Sequence, residues 1–351
     1  MARIVVAGAG AIGASIAYHL SLAEGDHRVT LCERNGVASG GTGRAMGGVR
    51  QQFLTAPEVR LARASVRFFA ELGPPLFDQV GYLFLATTPE GVEELETRVQ
   101  VQLELGVPVE DVDPGFAAGL HTEDVLKAVI CREDGVADPV GVTKHLVREA
   151  RSRGIELREY MDARELDADV LVIACGAGSP ALASHYEVEL PIRPLVRQLV
   201  DTRTVEGVPE DLPMIVEAET GFHFRRVGRG LRLAMSEPAL RWGEKAEVDE
   251  TLVADWLERL ARRYPPAAGV RVLRSWAGLY DMTPDAHPII GWVGEGLYAA
   301  CGFSGHGFMQ APAVGAAVAE ELLAGESTSD LSPYRLDRFA ANAVFPETLV
   351  L

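Results

Sequence analysis

Arg3-Ile-Val-Val-Ala-Gly-Ala-Gly-Ala-Ile-Gly-Ala-Ser15 lies at the start of a chain of 351 residues. An apolar run, Ile4 to Ala7, leads straight into Gly8-x-Gly10-x-x-Gly13 and then into a helical pattern. In a strand–turn–helix of this kind each glycine has a mechanical task. Gly8 allows the tight turn, Gly10 lets a pyrophosphate approach the backbone, and Gly13 lets the helix sit close on the strand. The pyrophosphate then meets the open amides and partial positive charge of the helix N-terminus. A second strand, Arg28-Val-Thr-Leu-Cys-Glu33, follows. It places an acid about twenty residues after Gly13, where a carboxylate accepts hydrogen bonds from a ribose hydroxyl. The stretch reads as a dinucleotide-binding turn.

The length suits two domains. With 48% hydrophobic and 24% charged residues the composition is that of a globular protein. A formal charge of −17 repels phosphate backbones and argues against a nucleic-acid partner. Cys32, Cys131, Cys175 and Cys301 are scattered singly, without metal-ligand spacing. They read as small buried hydrophobes in a reducing compartment, with no metal implied. The first strand begins at Arg3, which leaves no room for a signal peptide, and no apolar run is long enough to cross a bilayer. The expectation is a cytoplasmic protein with no integral membrane segment.

Downstream, Gly36 to Gly48 is too glycine-rich for regular structure and sits just after the ribose-reading strand, as backbone lying against a ligand would. Helical patterns follow at 56–72, 89–105, 140–152 and 248–263. Val170 to Ala174 is apolar on both faces, like a strand buried in a parallel sheet, and ends in Cys175-Gly-Ala-Gly178. Gly221-Phe-His-Phe-Arg225 and Gly230-Leu-Arg-Leu-Ala234 read as antiparallel strands. Near the end of the chain, Leu297 to Cys301, the turn Gly302-Phe-Ser-Gly-His-Gly307 and a helix over 308–323 repeat the strand–glycine–helix order. Alternation of α/β and antiparallel stretches implies two domains interleaved along the chain, with a cofactor between them.

Five segments together resemble the flavin-dependent amine and amino-acid oxidoreductases of the D-amino-acid oxidase superfamily, of the sarcosine oxidase, glycine oxidase and L-proline dehydrogenase β-subunit types. They are Gly8 to Glu33, Ser39 to Phe53, Ala168 to Gly178, Thr283-Pro-Asp-Ala-His-Pro-Ile-Ile-Gly291, and Leu297 to Phe308. The resemblance implies an α/β plus α+β architecture. A Rossmann-like FAD-binding domain would occupy residues 1–78, 138–193 and 281–340, and a substrate domain on an antiparallel sheet residues 79–137 and 194–280. It further implies that Gly8, Gly10 and Gly13 hold the FAD pyrophosphate, with Glu33 at the adenosine ribose and Arg34 beside it. Thr42, Gly43 and Arg44 match the loop around the pyrophosphate and ribityl chain, and Gly47 and Gly48 the residues passing the flavin ring. Gly176 and Gly178 match the second glycine turn. Gly305, Gly307 and Phe308 match the closing turn, whose helix N-terminus stabilises negative charge on the reduced ring.

The implied reaction is hydride transfer from an amine's α-carbon to flavin, giving an imine that water hydrolyses. The substrate would be a small amine or amino acid of the sarcosine, glycine, proline or D-amino-acid type, with dioxygen or another electron acceptor. Its nitrogen must be neutral, which desolvation favours. A carboxylate needs a fork-shaped cation, and two readings stand for Arg50: that clamp, or a structural ion pair. Arg225 is a second candidate, against a solvated strand face. Gln51 adds an amide bond to substrate or stabilises its loop; His306 contacts flavin or substrate or is satisfied by loop carbonyls. His223, alternating with Phe222 and Phe224, faces the other side of its strand, and packing is favoured. Tyr280 and His287 read as packing or flavin-edge residues.

Three positions depart from the sarcosine oxidase pattern. Gly278 stands where the covalent flavin attaches to cysteine, Met309 replaces a lysine that helps bind the carboxylate, and Arg241 falls near the lysine linked to dioxygen activation. The first implies noncovalent FAD; the last points to an acceptor other than dioxygen. The alternatives are a nicotinamide-dependent Rossmann dehydrogenase and a flavoprotein subunit active only with a partner chain; a homo-oligomer is equally compatible. Acid precipitation is expected to release the flavin into the supernatant, and flavin that stays with the pellet overturns the noncovalent reading.

Overall fold

Six strands form one sheet of a computed structural model that describes residues 2–237 and 239–345. Their order is Ile289–Gly294, Leu297–Cys301, Val170–Ile173, Ala2–Ala7, His27–Glu33 and Glu156–Glu159. The strand Ala2–Ala7 pairs in parallel with both Val170–Ile173 and His27–Glu33. These central strands are apolar on both faces because helices cover both sides. The helix Ala11–Leu22 packs against Pro139–Ser152 and Gly307–Ala324. The last of these contacts is close: a Cβ at Gly315 would overlap Ser15 Oγ. The chain moves from Ala2–Ala7 to a neighbour on one side, and Val170–Ile173 later joins on the other. That reversal of strand order opens a crevice at the carboxyl ends of the strands, where ligands bind in sheets of this kind.

A second sheet has eight strands, in the order Val272–Met282, Arg193–Thr202, Gly230–Ala234, His223–Val227, Met214–Glu217, Tyr82–Ala86, Lys127–Cys131 and Val109–Asp111. Met214–Glu217 runs parallel to Tyr82–Ala86 and antiparallel to His223–Val227. Its register lines up Leu83, Ile215, Phe224, Leu233 and Val200 across five strands. That row faces the core, where the helix Glu250–Arg263 buries Trp256 and Leu260 against it. Alternation puts His223 and Arg225 on the opposite face from Phe222 and Phe224, in line with Val216 and Phe84.

The chain divides into two compact units. Within the described residues the first holds 2–45, 138–195 and 279–345, and the second Met46–Ala137 and Val196–Gly278. The units interleave along the chain, and the first break falls at 45, where the sequence reading places 78. The reason is a small sheet in which Gly135–Ala137 pairs with both Gly48–Val49 and Phe77–Asp78, drawing segment 46–78 into the second unit. Gly47 and Gly48 therefore belong to the second unit, and the later boundaries move from 193 and 280 to 195 and 278.

Gly315→Val forces a branched side chain into Ser15 and is expected to lower stability by about 1–3 kcal/mol. Ser15→Gly should recover part of that loss. An unchanged thermal midpoint in the single variant would show that the two helices are not in contact there.

Candidate active site

In the first unit the cradle is built backbone against backbone. Gly8 has φ +104°, and a Cβ there would overlap the Ala174 carbonyl of the neighbouring strand. A Cβ at Gly13 would overlap the Gly8 carbonyl itself. The helix that begins after Gly10 has no side-chain cap and no acid in its first turn. Thr42 reaches it from the glycine-rich loop, its Oγ1 accepting from Ala11 N at 3.0 Å. Glu33 accepts from Ala9 N at 2.9 Å and from Asn35 N at 2.8 Å, so its carboxylate sits on the rim of the turn. Gly176, on the adjacent turn, faces open space, and Gly178 lies beside the Arg34 guanidinium. Gly43 packs on the Ala38 carbonyl, and Arg44 donates to the carbonyls of Ser39 and Gly40, tying the loop to itself.

The closing turn belongs to the same unit. Asp281 Oδ2 accepts from Gly302 N at 2.7 Å, while the Asp281 carbonyl accepts from Ser304 N. Ser304, with φ 53°, holds a left-handed conformation that non-glycine residues rarely adopt, and the Tyr280 ring fills the space a Cβ on Gly305 would need. Burial holds the Asp281 carboxyl above its usual range, against the pull of amides from Gly302 and Phe303. His306 is buried and precedes the helix Gly307–Ala324, whose first turn holds Gly307 and Phe308 and likewise has no side-chain cap and no acid. Two uncapped helix N-termini, a backbone crevice and a carboxylate on its rim fit a dinucleotide such as FAD. His287 lies outside this group, stacked on Phe345 with its Nε2 at the Phe345 carbonyl.

The second unit holds Gly47, Gly48, Arg50, Gln51 and Arg225. A Cβ on Gly48 would lie 2.6 Å from the Tyr82 hydroxyl, so packing within the unit already requires glycine there. Arg50 is 0% exposed; its guanidinium donates to the Gln52 carbonyl and lies 4.0 Å over the Phe53 ring. Gln51 donates from its backbone to Asp134 Oδ1 and from its side chain to Glu133 Oε2. Arg225 is buried, not on a solvated face, and its Nε donates to the Met46 carbonyl at 2.8 Å. Burial pushes His223 down to about 4, and repulsion from Arg50 and Arg197 adds to the shift. Its Nδ1 lies 2.7 Å from the Gly221 carbonyl, which places the proton there and leaves the Nε2 lone pair. Burial pushes Asp134 up to about 7 against hydrogen bonds from Gln52 and Gln51.

Arg197 was not among the sequence candidates. Its signal is a cation inside the apolar strand Leu195-Val-Arg-Gln-Leu-Val200, and it is 9% exposed. Asp134 and Gln52 were missed for want of any spacing that ties them to Arg50. Arg241 is locked in a two-pronged ion pair with the buried Glu237 and also donates to the Glu247 carbonyl. Burial raises all four cysteine thiols above their usual range. Among the described residues no His, Cys, Asp and Glu cluster is arranged to hold a metal, and no helix is long and apolar enough to cross a membrane.

Fold and cradle define a dinucleotide-binding protein. The sequence model of the family described as "DAO: FAD dependent oxidoreductase" matches residues 3–321, and the chain belongs to this family. The bovine (Bos taurus) "FAD-dependent oxidoreductase domain-containing protein 1" is 30% identical, over 96% of this chain and 84% of that protein. Glycine oxidase of Geobacillus kaustophilus is 27% identical, over 95% of this chain and 96% of its own. Among solved structures, L-proline dehydrogenase from P. horikoshii superposes with a TM-score of 0.89 at 27% identity, covering 98% of this chain and 99% of that one. The protein is an FAD-dependent oxidoreductase acting on amines or amino acids. The nicotinamide-dependent alternative is set aside.

A histidine whose folded pKa is depressed binds its proton more readily in the unfolded chain, so its contribution to stability is present above about 6.5 and lost as pH falls toward 4. His223→Asn is expected to remove a pH-dependent loss of up to about 3 kcal/mol across that window. Urea unfolding of wild type and variant at matched pH measures it; parallel curves would show that His223 does not titrate there.

Proposed function

We propose that the substrate is an amine carrying a carboxylate, an α-amino acid of the glycine, sarcosine, proline or D-amino-acid type, oxidised at its CH–N bond to an imine that water hydrolyses. The carrying observation is the pair of buried cations Arg50 and Arg197 near His223, whose proton they repel in addition to the larger effect of burial. Arg225, on the same sheet, is also buried in this unit. The field of these cations acts on a bound substrate in two ways. It attracts the carboxylate, for which the planar Arg50 fork is the clamp. It also disfavours the ammonium form of the substrate, as it disfavours the imidazolium of His223, and so favours the neutral amine from which a hydride can leave.

When bound, FAD supplies the hydride acceptor. The residues proposed to hold it, without a covalent bond, are Gly8, Gly10, Gly13, Glu33, Arg34, Thr42, Gly43, Arg44, Gly47, Gly48, Gly176, Gly178, Gly305, Gly307 and Phe308. Gln51 is assigned to holding the loop of Arg50, and His306 to the approach of the closing helix. Met309 supplies no charge for a carboxylate, so Arg50 carries the larger share. Arg241, neutralised by Glu237, offers no free cation to dioxygen, which supports a different electron acceptor and a dehydrogenase.

Anaerobic bleaching of the flavin by glycine, sarcosine, L-proline and D-amino acids tests the reading. Arg50→Lys keeps the charge but loses the fork, and is expected to raise half-saturation by the active amino acid about tenfold or more at unchanged flavin content. Equal half-saturation in the variant, or bleaching by simple amines as readily as by amino acids, would sink the carboxylate clamp.

A further inference from the structure

Arg50 does not reach its position by its own packing alone. The carbonyl that accepts from its guanidinium belongs to Gln52, and Gln52 is held by a buried carboxylate on a distant segment. Asp134, 0% exposed, accepts from Gln51 N at 3.0 Å through Oδ1 and from Gln52 Nε2 at 3.1 Å through Oδ2. Gln52 Nε2 also donates to the Tyr82 carbonyl at 3.0 Å. Asp134 is itself pinned, its carbonyl accepting from Gly81 N at 2.8 Å. One further bond fixes the far end of the segment, from Gln102 Nε2 to the Phe53 carbonyl at 3.0 Å. A buried carboxylate is costly, and two amide donors offset part of that cost only while both meet an acceptor oxygen.

We infer that Asp134 is the positioning residue for Arg50: it fixes the backbone at Gln51 and the side chain of Gln52, and thereby the carbonyl that aims the guanidinium at the substrate carboxylate. The inference rests on Arg50 being that clamp. Asp134→Asn is the sharpest probe. Its remaining oxygen accepts from one partner, but its new amide meets the amide of the other, so two donors face each other. Gln52→Met removes the second arm at nearly constant volume and leaves Asp134 in place.

Holoenzyme of each variant and of Arg50→Lys is titrated anaerobically with glycine, sarcosine and L-proline. Each is run beside its carboxylate-free counterpart: methylamine, dimethylamine and pyrrolidine. Flavin content and thermal midpoint are recorded as folding controls. For the amino acid that reduces the flavin, Asp134→Asn is expected to lower the preference over its counterpart about tenfold through half-saturation, with a much smaller change in the limiting rate. Gln52→Met should act in the same direction and decides the matter where Asp134→Asn loses its flavin. A preference lowered by Arg50→Lys but kept by both other variants overturns the role of Asp134 and leaves the clamp standing. A preference kept in Arg50→Lys, or no reduction by any of the three amino acids, removes the clamp and this inference with it. Equal weakening of amino acid and amine would mark Asp134 as a general structural residue and also overturn the proposal.

Discussion

The contact between Gly13 and the carbonyl of Gly8 governs the nucleotide side of the protein. No side chain separates helix from strand there, since even a Cβ would overlap the oxygen. The helix axis is consequently aimed along the turn, and its N-terminus, with Ala11 N held by Thr42 and no acid in the first turn, opens at the mouth of the crevice. Gly8 repeats the arrangement sideways against Ala174. Two neighbouring strands and one helix are locked at van der Waals distance by backbone alone. Thr42 and Gly176 are then delivered to that fixed point by their turns, and Glu33 by the end of its strand.

Charge is distributed by a different logic. The chain as a whole is strongly acidic, yet burial keeps the His223 imidazole neutral and the neighbouring Arg50 and Arg197 add to that effect. Net charge describes solubility and long-range encounters, whereas a site is ruled by the groups within a few ångströms of it. Two other buried arginines are held by carboxylates. Arg338 grips Asp285 with two bonds of 2.8 and 2.9 Å, and Arg232 pairs with Asp201 at 2.8 Å. Those pairs hold segments together and project little field. The exposed pair of Arg3 and Asp169 is screened by solvent and adds little.

Much of the fold was legible because its signals are local. The periodicity at 56–72 and 140–152 matches the helices Ala56–Leu72 and Pro139–Ser152, and the apolar run at 170 matches the strand Val170–Ile173. The nucleotide turn was legible for the same reason, since one short segment carries its mechanics. The two-residue strand Gly48–Val49 was not, because its partner at Gly135–Ala137 lies far along the chain and decides which unit it joins. The same distance hid Asp134 from Gln51 and Gln52. Arg225 was read as a candidate from its residue type, but its bond to the Met46 carbonyl depends on how the loop folds back. Single-residue chemistry is visible in a sequence; pairings across a hundred residues are settled by packing.

The strand Ala2–Ala7 lies between partners made at very different times during synthesis. His27–Glu33 follows it almost at once, but Val170–Ile173 and the strand beyond it, Leu297–Cys301, emerge much later. Between those moments the ribosome releases most of the second unit. The opening βαβ segment must therefore wait with one edge of its central strand unpaired, a state prone to wrong pairing. The wall formed by Ala174 and Gly176 is made well after the opening turn, and the helix Gly307–Ala324 later still. The complete cradle therefore exists only after segments far along the chain have joined the opening βαβ unit, and cofactor capture waits on them.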